Sequence, residues 1–362
     1  MLFASPSNSN TPPSPPHPAP EFRQINATDE QTIKPAANDE KINSLSSISK
    51  DEFANWLERF RQAGILVDRH NSPNLIAQLN QAIKRPIDHV ICNLLDSDPT
   101  ASLNAAIGAR YGQEVVAGTV LISRLVGAPH AWLCLDQRMP LHWSAEIRRL
   151  ARKPLAKVMA MANDYPQADP TLLLYTLLNR RLRPGRLPTE QGVVLLDAAA
   201  AMAIGRLFLA DESLQRVPLA IRDHARKLSH FLMAPMGLRL EELLTAIGET
   251  EPDSVIRAGD LLRELILPRD TVVGAGELIL HISEAEADIN PDACIRCGWC
   301  MEACPTRVQP AVILEAAQRD SLDLAERAGI EACVECGICS YVCPSKLPLL
   351  EGIRLIKAKQ TI

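Results

Sequence analysis

Hydrophobic residues first recur at helical spacing near residue 50. Four apolar side chains there would share one face of a helix: Phe53, Trp56, Leu57 and Phe60. Ser49 or Asp51 can cap this helix at its start. The preceding residues are rich in proline, serine and asparagine and show little apolar periodicity. Because such a segment buries too little surface to offset its ordering entropy, residues 1–50 are predicted to be a disordered tail.

Short continuous apolar runs after this helix predict buried strands. Two of them, His89–Leu95 and His130–Asp136, flank a helical stretch, and a third run (VVLLD) passes directly into the apolar helix AAAAMAIGRLFLA. Strands that alternate with helices favour an α/β domain with a parallel sheet, which we place at residues 51–215. Shorter strand patterns around one amphipathic helix then predict a small α+β module at residues 216–284.

Composition narrows the class of protein. A chain of 362 residues with 47% hydrophobic and 22% charged residues suits a soluble protein of two or three domains. A net charge of −5 and only 4% aromatic residues argue against nucleic-acid binding. The most apolar stretch, 192–210, contains Asp197 and Arg206, so we expect no transmembrane segment. The first residues lack the pattern of a signal peptide, and a cytoplasmic location is expected.

Two cysteine runs near the C-terminus carry the chemistry. The first reads CIRCGWCMEACP from Cys294, and the second reads CVECGICSYVCP from Cys333. Their common spacing, C-x2-C-x2-C-x3-C-P, is that of bacterial iron–sulfur ligation. Structural zinc sites usually lack the third and fourth cysteine at these distances, and disulfides need an oxidising compartment. The runs therefore predict two [4Fe–4S] clusters in a C-terminal, α-helical, ferredoxin-type domain at residues 285–362.

The same spacing resembles that of two-cluster ferredoxins, in which the fourth cysteine of each run ligates the other cluster. Carried over to this chain, the resemblance implies two sets of ligands. Cluster I would be held by Cys294, Cys297, Cys300 and Cys343. Cluster II would be held by Cys333, Cys336, Cys339 and Cys304. Folding of the domain should then depend on metal. No catalytic residue is assigned.

The chain also resembles the RnfC family, whose members are components of the Rnf/Rsx electron transport complex, and the related cobalamin reductase of microcompartments. Both cysteine runs with the helical insert Thr306–Ala332 between them carry this resemblance, as do YPQAD, LPTEQGVV and APMGLRLEELLTAIG farther upstream. The resemblance implies that residues 51–215 are related to the flavin/NADH domain of respiratory complex I. It also implies that residues 216–284 form a β-grasp module of the soluble-ligand-binding (SLBB-like) type.

One segment departs from that family. Where the family has a glycine-rich loop that cradles a flavin phosphate, this chain reads LVDRHNSPNL (Leu66–Leu75), without glycine. A phosphate cradle needs close approach of the backbone, which bulky residues resist. The hypothesis is that the flavin/NADH site is degenerate, which makes FMN a doubtful cofactor. Asp68, Arg69 and His70 are predicted to lie in a solvated loop.

These observations favour an iron–sulfur electron-transfer protein, an RnfC-like subunit of an oxidoreductase complex that passes electrons between redox partners. Two alternatives stay open. The first is an FMN- and NADH-dependent reductase (NADH dehydrogenase or cobalamin reductase) with a divergent pocket. The second is a partner-recruiting scaffold with structural clusters. The expected partners are redox proteins, and a membrane electron-transport complex among them would place the chain peripherally on the inner membrane face.

Overall fold

The computed structural model describes most of the chain beyond the N-terminal segment. The described residues are 22–23, 39–42, 44–45, 49–65, 69–151, 155–249, 254–276, 278–285 and 290–360. Strand β1 (Phe22–Arg23) lies within the predicted tail, much of which falls outside the described residues.

The predicted start of order at residue 50 is wrong. Residues 39–42 form a helical turn, and Ile42 is completely buried in the main hydrophobic core. Asp39 is paired with Arg149 at 2.9 Å. Isolated contacts hold this turn in place, among them a hydrogen bond from the Lys41 ammonium to the Leu209 carbonyl at 3.3 Å, and such isolated anchors leave no periodic pattern in a polar segment.

The first domain is built on a four-stranded parallel sheet. Its strands lie in the spatial order β4-β3-β2-β5 and are, along the chain, β2 (His89–Asn93), β3 (His130–Asp136), β4 (Lys157–Met161) and β5 (Val193–Asp197). The helices of this region are α1 (Lys50–Gln62), α2 (Leu75–Ala82), α3 (Leu103–Arg110), α4 (Gly112–Leu125), α5 (Ala145–Ala151), α6 (Pro170–Leu178) and α7 (Ala198–Ala210). The predicted α/β class is confirmed. The helical stretch expected between β2 and β3 is divided in two at Tyr111.

Two glycines bring α4 and α7 into backbone contact. A Cβ atom on Gly118 would overlap the carbonyl oxygen of Ala201, and one on Gly205 would overlap that of Glu114. Because α7 follows β5 without a loop, this contact fixes the start of α7 against the sheet. Asp197 caps α7 by accepting a hydrogen bond from the backbone N–H of Ala200 at 2.7 Å. The carboxyl end of β5 is thereby held rigidly.

The second domain contains a mixed sheet. Its strands after β1 are β6 (Arg216–Asp223), β7 (Leu228–Pro235), β8 (Val255–Ala258), β9 (Leu265–Ile266) and β10 (Ile279–Ser283), in the spatial order β1-β7-β6-β10-β8-β9. β6 and β7 form an antiparallel hairpin, and β10 lies parallel to β6. Helix α8 (Leu240–Ala246) follows the hairpin. The region has the mixed helix and strand content that the sequence predicts.

The C-terminal region is helical. Its helices are α9 (Trp299–Glu302), α10 (Pro310–Gln318), α11 (Leu322–Arg327), α12 (Ile338–Tyr341) and α13 (Leu349–Gln360). Helices α10 and α13 pack on each other around a separate core that includes Ile313, Leu349 and Ile353. Within the described part of the chain, no helix is long and apolar enough to cross a membrane.

Candidate electron-transfer centre

The eight cysteines of the two runs line two separate cavities in the C-terminal domain. The first cavity is lined by Cys294, Cys297, Cys300 and Cys343. The second cavity is lined by Cys333, Cys336, Cys339 and Cys304. Each cavity thus takes three cysteines from one run and the last cysteine of the other. These are the groupings that the ferredoxin spacing implies, and binding of iron by these residues stays a prediction.

Left-handed glycines shape both cavities. Gly298 (φ +82°) and Gly337 (φ +78°) each follow the second cysteine of a run and begin the short helices α9 and α12. A residue with a Cβ atom adopts this backbone conformation only with strain. The tight turn therefore lets the first three cysteines of a run face one cavity. None of these eight cysteines forms a disulfide.

The second cavity is buried. All four of its cysteines are buried, and burial raises the pKa of the Cys339 thiol to about 12 and that of Cys333 to about 11. A thiolate is the form that ligates metal, and a bound cation stabilises it. The ammonium group of Lys357 donates a hydrogen bond to the Cys333 carbonyl at 2.6 Å and so brings a positive charge close to this cavity.

The loop of the second cavity is docked on the rest of the molecule. The Tyr165 hydroxyl donates a hydrogen bond to the Cys336 carbonyl. Gly337 lies so close to the Leu262 carbonyl oxygen that a Cβ atom would overlap it. Tyr165 precedes α6 in the first domain, and Leu262 follows β8 in the second. Both N-terminal domains therefore contact the same cysteine loop.

The first cavity is open on the outside of the molecule. Cys294 and Cys297 are exposed, and Cys300 is half-buried. The large apolar side chains of Ile295 (68% exposed) and Trp299 (55% exposed) lie in the same run. The two cavities thus have the same cysteine arrangement but opposite surroundings.

A cleft lies at the carboxyl end of β5, where parallel sheets of this kind bind ligands. Arg69 enters it and forms a two-pronged ion pair with Asp197, with both N–O distances at 2.6 Å. Arg69 also donates to the Ala275 carbonyl at 2.7 Å, and its side chain is only 12% exposed. His70 lies 2.6 Å from the buried carboxylate of Asp169. The predicted solvated loop is therefore wrong for Arg69, which the carboxylate of Asp197 holds in a largely buried place, whereas His70 is exposed although it pairs with Asp169; Asp68 lies outside the described residues.

Comparison with known proteins agrees with this arrangement. A family described as "Nuo51 FMN-binding domain" matches residues 68–206, and a "4Fe-4S dicluster domain" matches residues 287–344. The C component of the Na⁺-translocating ferredoxin:NAD⁺ oxidoreductase complex of Acetobacterium woodii is 26% identical, covering 75% of this chain and 62% of that protein. The C component of the ion-translocating oxidoreductase complex of Rhodobacter capsulatus is 27% identical, and the match covers 78% of this chain and 55% of that protein. The chain is RnfC-like. It spans little more than half the length of these relatives.

Solved structures agree at the level of the fold. The NAD⁺-reducing [NiFe]-hydrogenase in its H₂-reduced state superposes on the RnfC-like chain with a TM-score of 0.56 at 16% identity, covering 85% of this chain and 62% of that chain. The air-oxidised state of the same hydrogenase gives a TM-score of 0.53 at 15% identity, and the match covers 82% of this chain and 55% of that chain. The dicluster match supports two [4Fe–4S] clusters, as the sequence predicts.

In the described part of the loop around Arg69, two backbone N–H groups are not free to hold a flavin phosphate. In the segment that lacks glycine, the backbone groups of Arg69 and Ser72 bond to each other at 2.9 and 3.0 Å. The Ser72 hydroxyl accepts a hydrogen bond from the backbone N–H of Asp197 at 3.1 Å. These N–H groups are therefore occupied, although a phosphate cradle would need such groups free. The side chain of Arg69 lines the adjacent cleft, where it is paired with Asp197.

Sequence reasoning missed a row of neighbouring polar side chains, buried at His281 and Asp98. His281 in β10 lies 3.1 Å from Asp98 and 3.5 Å from Glu264, and its other ring nitrogen lies 3.0 Å from His224 at the surface. Burial alone would lower the pKa of His281, but the carboxylates of Asp98 and Glu264 outweigh it and raise the pKa. Burial would raise the pKa of Asp98, but the adjacent imidazole of His281 and hydrogen bonds from Thr100 outweigh it and lower the pKa. A histidine between the apolar residues of the run ILHI is the signal that could have found this pair.

We expect this pair to make stability fall at alkaline pH. The contribution of His281 is complete below its ordinary pKa of 6.5 and is lost as pH rises through its raised pKa in the fold. The contribution of Asp98 is present above its ordinary pKa of 3.8 and is lost as pH falls through its lowered pKa. Anaerobic urea unfolding between pH 6 and pH 9 measures the alkaline loss. His281→Gln should flatten this dependence, and a variant as pH-dependent as the parent would contradict the assignment.

Proposed function

We propose that the chain is an electron-transfer subunit that moves electrons through two [4Fe–4S] clusters. The observation that carries this proposal is the pair of cavities, each lined by four thiols drawn from both cysteine runs. This arrangement fits two cubanes that share one small domain, which is the arrangement for electron hopping between clusters. The proposal includes the ligands of each cluster. Cluster I would be held by Cys294, Cys297, Cys300 and Cys343, and cluster II by the other four cysteines.

The two clusters would have different roles. Cluster II would lie against the N-terminal domains, where Tyr165 and Leu262 contact its loop. Cluster I would lie where Cys294 and Cys297 are exposed. Electrons would exchange with a protein partner at cluster I, because transfer between proteins needs close approach of the centres. Cluster II would be tuned by burial and by hydrogen bonds to its loop.

The order of strands supports a β-grasp, SLBB-like assignment for residues 216–284. The first and last strands of the module, β6 and β10, are central and parallel, with β7 and β1 on one side of them and the short strands β8 and β9 on the other. The boundaries 51–215, 216–284 and 285–362 are proposed with it. Curated relatives are named as subunits of ion-translocating complexes, so a peripheral place on a membrane complex is proposed for this chain as well.

Reconstitution tests the function directly. The anaerobically reconstituted protein should contain iron and sulfide for two cubanes, and dithionite should produce the EPR signals of reduced [4Fe–4S] clusters. Bound zinc in place of iron would overturn the proposal. Clusters that assemble but resist reduction would favour the scaffold alternative, in which the clusters are structural.

We expect no stoichiometric FMN in the purified protein. The reason is the ion pair between Arg69 and Asp197 in the cleft, together with the occupied backbone groups of the adjacent loop. Denaturing the protein and measuring flavin fluorescence of the supernatant tests this, and NADH-driven dye reduction should be absent. One FMN per chain, or NADH-dependent activity, would instead favour the flavin-dependent reductase.

A further inference from the structure

The two cysteine runs are internal repeats, so each position around one cavity has an equivalent around the other. Gly298 corresponds to Gly337, and Arg296 corresponds to Glu335. The equivalent residues have the same left-handed backbone, with φ of +55° at Arg296 and +54° at Glu335. The two sites therefore share their backbone and differ in their side chains and in what covers them.

The second site is covered and the first is bare. Gly337 is pressed against the Leu262 carbonyl, whereas a Cβ atom on Gly298 would meet no atom of the described residues within 4 Å. Glu335 is paired with Lys357 at 2.9 Å and with Arg354 at 3.5 Å. Arg296 is exposed, and the structure records no ion pair for it among the described residues.

The bare surface has the composition of a docking site. Ile295, Trp299 and Met301 are exposed large apolar side chains beside the exposed Cys294 and Cys297. Apolar residues at the centre with charge at the edge are typical of protein interfaces. Apart from the cysteines, the lining of the first cavity contains a single charged residue, Arg296. The first site therefore presents an apolar face with a cation, unpaired among the described residues, at its edge.

We propose that the first site docks a small acidic redox protein, which places a carboxylate over Arg296 and packs its backbone on Gly298. The proposal rests on the proposed electron-transfer function and names the class of partner. The covered second site shows the backbone part of such a contact within one molecule, since Leu262 of the second domain lies against Gly337. Glu335, the equivalent of Arg296, is paired with opposite charge from α13. Electrostatic attraction would steer the partner onto the cluster, and the apolar residues would hold it there.

Anaerobic stopped-flow kinetics tests this proposal, with an acidic two-[4Fe–4S] ferredoxin as the probe. Electron transfer is measured in the direction that is thermodynamically favourable. Arg296→Glu should lower the second-order rate constant about tenfold at low salt, whereas Arg296→Lys should stay close to the parent. Glutamate is expected to be tolerated at this backbone position because Glu335 occupies its equivalent. Arg85→Glu, an exposed arginine in the first domain, is the matched control and should change the rate by less than about twofold.

The outcomes separate this proposal from the proposed function. Equal rates for Arg296→Glu and Arg85→Glu, with normal reduction by dithionite, would overturn the docking site alone. Failure of the parent protein to accept electrons from dithionite would overturn the electron-transfer function itself. If Arg296→Glu does not assemble clusters, the rate constant of Ile295→Ser is measured instead. A rate constant equal to that of the parent protein would also overturn the docking site. A dimer of the parent that Ile295→Ser dissociates would overturn it too, since a second copy would then occupy the face.

Discussion

Cys304→Ser is expected to remove cluster II and leave cluster I intact, and Cys343→Ser is expected to do the reverse. Each of these cysteines stands at the end of one run but lines the cavity formed by the other run. A serine hydroxyl is a poor substitute for a thiolate, so the affected cavity should lose its [4Fe–4S] cluster or retain an incomplete one. About half of the iron should be lost in each variant, and EPR of the dithionite-reduced proteins should show two different remaining signals.

Burial makes the two losses distinguishable. Cluster II would lie among buried cysteines, whereas cluster I would lie beside exposed Cys294 and Cys297. The cluster that survives in Cys304→Ser should therefore react faster with oxygen than the one that survives in Cys343→Ser. Cys134→Ser is the control, because Cys134 is buried in β3 away from both cavities and should leave both clusters in place. Loss of the first cluster in Cys304→Ser would overturn the proposed exchange of ligands.

The parts of the structure that the sequence predicts are those with local causes. The run HAWLCLD gives strand β3 at its predicted bounds, because seven consecutive residues suit a buried strand. Pro310 begins α10, as its fixed φ favours. Each cysteine run is likewise recognised from the spacing within its own short segment. In each case, the information lies within a few residues of the feature that it determines.

The parts that escape prediction depend on contacts between distant segments. Strand β4 lies at the edge of its sheet and is only partly buried, and its apolar run VMAM consists mostly of Met and Ala, which favour a strand only weakly. The pairing of Arg69 with Asp197 joins a loop near the N-terminus to the end of β5. His281 and Asp98 meet between two domains. A single sequence indicates that such charged residues need partners but does not say which ones.

Gly337→Ala is expected to loosen the contact between the cysteine domain and the N-terminal domains. A methyl group there would overlap the carbonyl oxygen of Leu262, which itself has a left-handed backbone (φ +62°) and cannot shift freely. Overpacking of this kind costs about 1–3 kcal/mol, in addition to about 1–2 kcal/mol for an alanine at positive φ. The free energy of unfolding should fall by the sum, and backbone amides near Cys336 and Leu262 should exchange hydrogen faster.

The equivalent glycine of the first run provides the matched comparison. Gly298→Ala meets the same backbone strain but no overlap, since nothing described lies within 4 Å of the added methyl group. The difference between the two variants therefore isolates the contact with Leu262, and about 1–3 kcal/mol is expected. Equal destabilisation would mean that the second cysteine loop is not held by the N-terminal domains. A larger effect of Gly298→Ala would mean that the first loop is the covered one. Cluster II, and not cluster I, would then be the cluster that faces the protein partner.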